Sequence, residues 1–359
     1  MPSKSTETTE VKLSPLQQFK ELILSNKKKT KVAILMHENP DPDSIASALG
    51  LARVMSHWNK DIKCSFLYSG TISHSQNKTM VNVLNVSLTH KNEIESLEEF
   101  ADIFVTVDVL PERCLPKDIE CSFVVDHHKD SSVLAKIQDI RRVGAASSIV
   151  WDYLNEEGIK LDKGNEIDAL LATALLIGVK TDTVDLVSDN VTDLDFRAYQ
   201  SIMGCVDRAK LSAIINYPIP FYQFELRSVL DNKDNYKTDN GVFVGGIGHI
   251  AASKRDVLPT LAAERSRLAE IQTAFVFAVI DNDIHVSIRT INPSVDINSV
   301  CHKIFGKSNS GGKLGAAAAK IPLGFLGLDS SASDEVVEKQ WSFIKTLIID
   351  RVFHVINNV

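Results

Sequence analysis

The stretch Lys31-Val32-Ala33-Ile34-Leu35-Met36-His37-Glu38-Asn39-Pro40-Asp41-Pro42-Asp43 joins an apolar run to a turn rich in carboxylates with one imidazole. A short, nearly continuous apolar run is what a strand buried on both faces presents. Ser44 to Ser56 then reads as a helix with Ile45, Ala48, Leu49, Ala52 and Val54 inward, so the chain passes strand, polar loop, helix. The pattern recurs downstream. Ile103 to Val107 ends at Asp108, and Cys121 to Val125 ends at Asp126-His127-His128. Strands of this kind assemble into a parallel sheet, and ligands gather outside the carboxyl ends of its strands, where these polar groups fall.

Upstream, residues 12 to 26 carry helical spacing ahead of Lys27-Lys28-Lys29. Downstream, 145 to 157 and 165 to 179 read as helices, and Asp182 is expected in the loop after the second. The character changes near Asp207, with Pro218 and Pro220 and then a polar stretch from Asp231 to Lys237. The expected organisation is α/β throughout: a parallel-sheet catalytic domain over 1–206, a linker over 207–225 and a smaller α/β domain over 226–359. In the second domain Gly241 to Ile250, Thr273 to Ile280 and Ile284 to Thr290 read as strands, Pro259 to Glu270 as a helix, and Ser310-Gly311-Gly312-Lys313 as the opening of an alanine-rich helix. Ser333 to Ile356 is amphipathic and suits packing on its own domain or on a second copy in a homodimer.

His37, Asp41 and Asp43 share one turn whose backbone Pro40 and Pro42 restrain. One aspartate before Ser44 is explained by helix capping, but His-x-x-x-Asp-x-Asp supplies more than a cap needs. Two adjacent histidines at a strand end point in different directions, so one of His127 and His128 suits a metal and the other a substrate phosphate, with Asp126 placed to orient an imidazole. Asp108, at the end of a buried strand, suits a carboxylate bridging two ions. Asp182, alone, is also an ordinary helix-exit residue. Carboxylates and imidazoles together suit a pair of divalent ions, which can clamp the attacking and leaving oxygens of a phosphoryl displacement. In the second domain the Gly311-Gly312 pair suits close approach of an anion to backbone N–H groups, and Arg289 suits a phosphate clamp. His74, in a polar loop, is a lesser candidate for a substrate contact.

The bulk properties restrict the class. The chain has 359 residues, 44% hydrophobic and 24% charged, which fits a soluble globular protein with buried cores. Its five cysteines are widely spaced with no C-x-x-C pair, which fits a reducing, cytoplasmic setting better than a disulfide framework. No apolar run reaches the ~18–20 residues that span a bilayer, so no membrane partner is expected. A formal charge of -7 argues against a broad basic face for long duplex nucleic acid but leaves small anions open.

Taken together, the segments His37 to Asp43, Asp108, Asp126-His127-His128 and Asp182 resemble the DHH phosphoesterase superfamily, in its two-domain type with a DHH-associated C-terminal domain, over about Lys31 to Gly324. The resemblance implies a manganese-dependent phosphodiesterase or phosphatase of the nanoRNase and pAp-phosphatase kind, working in the cleft between the domains. It implies that His37, Asp41 and Asp108 hold one ion and Asp43, Asp108, His127 and Asp182 the other, with His128 on the scissile phosphate and Asp126 and Asp108 completing the catalytic set. Arg289, Gly311, Gly312 and Lys313 then hold substrate. Many relatives read Gly-Gly-His where this chain reads Gly311-Gly312-Lys313, which keeps a cation and loses a ring that could stack on a base. The implied substrates are short single-stranded oligonucleotides, dinucleotides and 3′,5′-bisphosphonucleosides such as pAp, as an exonuclease would take. The alternatives are a cyclic-dinucleotide phosphodiesterase and a nucleotide-binding regulatory protein without turnover. On the enzyme reading, Asp43→Ala is expected to abolish turnover and leave the fold intact.

Overall fold

β1 (Lys31–Leu35) is the hub of the first sheet, because both of its edges are taken: it pairs in parallel with β2 (Lys63–Tyr68) on one side and with β4 (Ile103–Val107) on the other. The sheet extends through β3 (Leu88–His90), β5 (Cys121–Asp126) and β6 (Ala135–Ile140), all parallel, in the order β3-β2-β1-β4-β5-β6. This is a doubly wound order. The chain runs outward from β1 in one direction and then returns to lay β4 on its other side, so the sheet reverses between β1 and β4 and opens a crevice at their carboxyl ends. Here a computed structural model describes residues 13–25, 30–128, 133–313, 315–328 and 331–357, with the side chain of Lys313 excepted.

The strands follow the expected apolar runs, β4 being buried along its whole length. The helices Pro42–Trp58, Ala146–Glu156 and Glu166–Asp182 pack against one another over one face of the sheet, with Ile45, Leu51, Ile149, Leu175 and Leu176 at 0% exposure among Phe123 and Val125 of β5. Val124, Cys121, Val109 and Leu115 form a separate core on the other face. Three of the strands, β2, β3 and β6, were not among the expected ones. β2 and β6 are half-buried rather than uniformly apolar, and β3 is only three residues long.

The chain divides into two compact units between Pro218 and Ile219. The stretch read as a linker is helical over Arg208–Ile215, which belongs to the first unit, and again from Phe221 to Asp231 in the second. The second unit is a mixed sheet in the order β11-β12-β10-β9-β8-β7, where β7 is Tyr236–Asp239, β8 Val242–His249, β9 Thr273–Ile280, β10 Asp283–Thr290, β11 Ser310–Lys313 and β12 Ala316–Pro322. Only β8 and β9 are parallel.

The expected alanine-rich helix after Gly311-Gly312 is instead the β11–β12 hairpin, which pairs Gly312 with Ala317 and Gly311 with Ala318. Alanine favours helix intrinsically, but here alternate residues Ala317 and Ala319 fill the core under β10. A Cβ on Gly312 would stand 2.6 Å from that of Ala317. The C-terminal helix Asp334–Ile356 packs on its own sheet through Trp341, Ile344, Ile348 and Val352. All five cysteines are free, and among the described residues no helix is long and apolar enough to cross a membrane.

Candidate metal centre

The carboxyl end of β1 delivers the first ligand candidates through one helix start. Asp41 is the N-cap of the Pro42 helix: its Oδ1 accepts the Ser44 N–H at 3.0 Å, while Ser44 Oγ accepts the Asp41 N–H at 3.1 Å. Capping thus accounts for Asp41, and it does so while leaving the carboxylate 3.5 Å from His37 Nε2. Burial opposes the charge on Asp41, but contact with His37 and the hydrogen bonds from Ser44 outweigh it and hold the carboxyl low.

Asp43, one turn further in, is completely buried and caps a different helix. Its oxygens accept the backbone N–H groups of Ala146 at 2.7 Å and Ser147 at 2.8 Å, the start of a helix whose own N-cap residue, Ala145, has no side-chain acceptor. Close approach of the third helix is possible because residue 178 is glycine; a Cβ there would lie 2.3 Å from Ser147 Oγ and 3.1 Å from Asp43.

Asp108 leaves β4 at φ +56°, a left-handed conformation that an aspartate adopts with less strain than a branched residue, and its N–H donates to Val125 O at 2.8 Å. It is 5% exposed and meets three imidazoles, with oxygens 3.9 Å from His37 Nε2, 3.3 Å from His127 Nε2 and 3.7 Å from His128 Nδ1. Asp182 is the last residue of the helix Glu166–Asp182, not a loop residue as expected. Its Oδ2 stands 3.1 Å from His127 Nε2. Immediately after it, Val184, Asp185 and Leu186 take consecutive positive φ values of 51°, 59° and 64°, and Thr183 Oγ1 accepts the Leu186 N–H at 3.0 Å.

The two histidines of the triplet do point apart. His127 Nδ1 lies 3.1 Å from Val143 O, which can only accept, so Nδ1 carries a proton and Nε2 is the nitrogen placed to face an ion. Nε2 is buried among oxygens of Asp182, Asp108 and Asp43, the last at 3.9 Å, and none of them makes an aligned hydrogen bond with it. His128 faces outward with a side chain 59% exposed, and its Nδ1 bonds Asp126 Oδ1 at 2.8 Å. The same Asp126 oxygen accepts the N–H groups of His127 and His128 at 2.7 and 3.0 Å. Burial works against the Asp126 carboxylate, and these bonds outweigh it and hold its pKa low.

The electrostatics favour a cation. Burial first, then the charge of Asp182, pushes the Asp43 carboxyl up to about 7, and burial raises Asp108 as well. Burial opposes a charged His127, yet Asp108, Asp182 and Asp43 outweigh it and push its pKa up to about 12. Three groups offer ligand atoms within 4.8 Å of one another: His37, Asp41 and Asp108; Asp43, His127 and Asp182; and Asp108, Asp126, His127 and His128. Asp108 belongs to two of them. An orphaned imidazole nitrogen among hard carboxylate oxygens fits divalent transition ions.

The other candidates lie elsewhere. His74 caps the helix Ser75–Val83, accepting the Gln76 N–H at Nδ1 over 3.3 Å, and its ring meets Tyr217 edge-on. In the second unit Arg289, Gly311 and Gly312 line a cavity of about 760 Å³, and the Arg289 guanidinium donates to Ile288 O at 2.9 Å with no carboxylate partner among the described residues. Lys313 lies on β11, and its side chain is outside the described residues.

The role of segment 143–148 escaped the sequence reading, which gave 145 to 157 only as a helix, although the segment holds both His127 and Asp43. Its contribution is largely backbone, and the only trace in the sequence is a run of small residues opening an apolar helix, Gly144-Ala145-Ala146-Ser147. Asp195 escaped too. Completely buried, it accepts from Gly144 N, Thr192 N, Thr192 Oγ1 and Ser148 Oγ at 2.6–2.9 Å, and so pins that segment. The spacing Thr192-x-x-Asp195 was its signal.

Comparison with known proteins identifies relatives of this chain. Residues 31–179 match the DHH family, N-terminal domain. An uncharacterised protein of Methanocaldococcus jannaschii is 34% identical over 317 residues, 87% of this chain and 63% of that protein. A probable manganese-dependent inorganic pyrophosphatase of Lactobacillus gasseri is 25% identical over 48% of this chain and 54% of its own length. The chain thus spans between about half and two thirds of these relatives. An exopolyphosphatase-related protein from Bacteroides fragilis shares the fold, with a TM-score of 0.66 at 14% identity over 93% of this chain and 97% of that one.

Proposed function

Because the chain belongs to the DHH phosphoesterase superfamily, in its two-domain type, we propose that it hydrolyses short oligonucleotides or linear dinucleotides, and 3′,5′-bisphosphonucleosides such as pAp, with two divalent ions, manganese by preference. The observation that carries this reading is His127 Nε2, a buried nitrogen that faces three carboxylates without an aligned hydrogen bond while its other nitrogen is fixed by Val143. His37, Asp41 and Asp108 would hold one ion and Asp43, Asp108, His127 and Asp182 the other, with Asp108 shared. When bound, such ions supply an activated water and polarise the phosphoryl oxygens.

The chain's own groups do the rest. Asp126 holds the His128 proton on Nδ1, so Nε2 is presented to a phosphate oxygen at the exposed rim. The repulsion between Asp43 and Asp108 is relieved either by a proton or by a bound cation, which ties ligand ionisation to ion binding. Arg289, Gly311, Gly312 and Lys313 would take a further anionic group of the substrate, an assignment supported by the absence of any carboxylate on Arg289 among the described residues.

Pyrophosphate is the second reading, favoured by relatives that carry a manganese-dependent pyrophosphatase name. A manganese-supplemented panel of linear dinucleotides, five-mers, pAp, cyclic dinucleotides and pyrophosphate decides between them. Linear nucleotides should be consumed fastest, and consumption of pyrophosphate alone would replace the first reading by the second. Nucleotide bound without any product would point to a regulatory protein.

A further inference from the structure

Next to the triplet stands a cation that the metal centre leaves unused. β5 and β6 pair in parallel from Phe123 with Ile137 to Asp126 with Ile140. The ladder runs one step beyond the strands, since Arg141 N donates to Asp126 O at 3.0 Å, and Val143 O then closes on His127 Nδ1. Residue 142 is thereby held between two contacts to the triplet.

Tyr153 Oη donates to Asp139 Oδ2 at 2.7 Å, and Arg141 binds Asp139 at 2.7 Å and Asp152 at 2.6 Å, so Asp139 and Arg141 face the Ala146 helix. β6 ends at Ile140, and Val143 N donates to Arg141 O at 3.0 Å, so the chain closes a three-residue turn with Arg142 at its apex and its side chain exposed. Asp126 and His128, joined through Nδ1 and Oδ1, stand at the neighbouring end of β5. Adjacent strands are ~4.8 Å apart, well within reach of an arginine. Arg142 is exposed and, unlike Arg141, has no carboxylate partner among the described residues.

Charge gives the position a purpose. The carboxylates of Asp41, Asp43, Asp108 and Asp182 balance two divalent ions, so the centre itself retains no excess positive charge for an anionic ester. A guanidinium beside the triplet supplies it, in a fork matched to two phosphate oxygens. We propose that Arg142 is a substrate-binding residue that takes the non-bridging oxygens of the phosphate at His128, or of the phosphate next in the chain. This rests on reading the centre as a phosphoesterase site, but its test does not depend on turnover.

Manganese-loaded wild type, Arg142→Ala and Arg142→Lys are titrated calorimetrically with inorganic phosphate, and KM and kcat are measured in parallel on a 5′-phosphorylated linear dinucleotide. Loss of a charge-assisted contact should weaken phosphate binding about tenfold or more in Arg142→Ala, raise KM similarly and change kcat little. The lysine variant should recover part of the binding, while manganese affinity and melting temperature stay at wild-type values. Phosphate binding equal in wild type and Arg142→Ala overturns the inference, as does no phosphate binding by wild type, or a manganese affinity that falls along with it. If no ester is turned over by any of the three, the proposed function fails while the phosphate titration still decides Arg142.

Discussion

Asp108 concentrates the conflicts that the centre resolves by binding ions: buried, left-handed in φ and pressed among other carboxylates. Asparagine tolerates the same backbone, so Asp108→Asn should fold. It should lose manganese affinity or turnover by more than the ~10–100-fold typical of residues that only support ligands. Without manganese the variant should be at least as stable as wild type at pH 8, because a buried charge has been removed; a large destabilisation in the absence of metal would contradict the bridging role. Asp43 gives the pH dependence. Its pKa rises from 3.8 to about 7 on folding, so its contribution to metal-free stability is present below pH 4 and lost as pH rises toward 7. Protons and manganese compete for the same oxygens. The rise in melting temperature produced by manganese should therefore be greater at pH 8 than at pH 6, and a shift independent of pH would exclude Asp43 as a ligand. Asp43→Ala should also cost about 1 kcal/mol of stability, because Asp43 caps the Ala146 helix.

Between elements, the ligands are held by helix starts and ends, which explains what the sequence disclosed and what it hid. Strand ends after apolar runs were readable: His37, Asp108 and His127-His128 lie past β1, β4 and β5, while Asp126 is the last residue of β5 itself. Asp182 was misread as a loop residue because Thr181, Asp182 and Thr183 look like a helix exit, whereas the helix holds to Asp182 and the backbone turns left-handed only from Val184. The β11–β12 hairpin was misread because an alanine run has no periodicity of its own and its strand form is imposed by packing under β10. Asp195 tests the scaffold. Asp195→Ala leaves the Gly144 N–H and the Thr192 cap without their acceptor, and should cost roughly 2–4 kcal/mol of stability with a weaker hold on manganese. Gly178→Ala should cost ~1–3 kcal/mol by driving a methyl into Ser147, and Ser147→Gly in the same chain should restore part of it. Thermal melts of the single and double variants check both.

Across the whole molecule, two sheets are each lined by a core on either face, around continuously buried strands such as β4 in the first unit and β9 in the second. On the proposed function the reaction class resides in the first unit, whose carboxylates and imidazoles were apparent from residue types alone. Substrate choice was not, because the second-unit groups proposed for it, Arg289 and Gly311-Gly312, carry no metal-ligand chemistry and Lys313 stands where the resemblance implies histidine. The most direct test is a manganese titration of chelator-stripped protein, with ion stoichiometry and release of mononucleotide from a linear dinucleotide recorded on the same samples. Two ions should bind per chain, product should appear as the second site fills, and Asp108→Asn should show neither. Saturation with manganese and nucleotide without product, or full turnover with Asp108→Asn, would contradict a two-ion phosphoesterase.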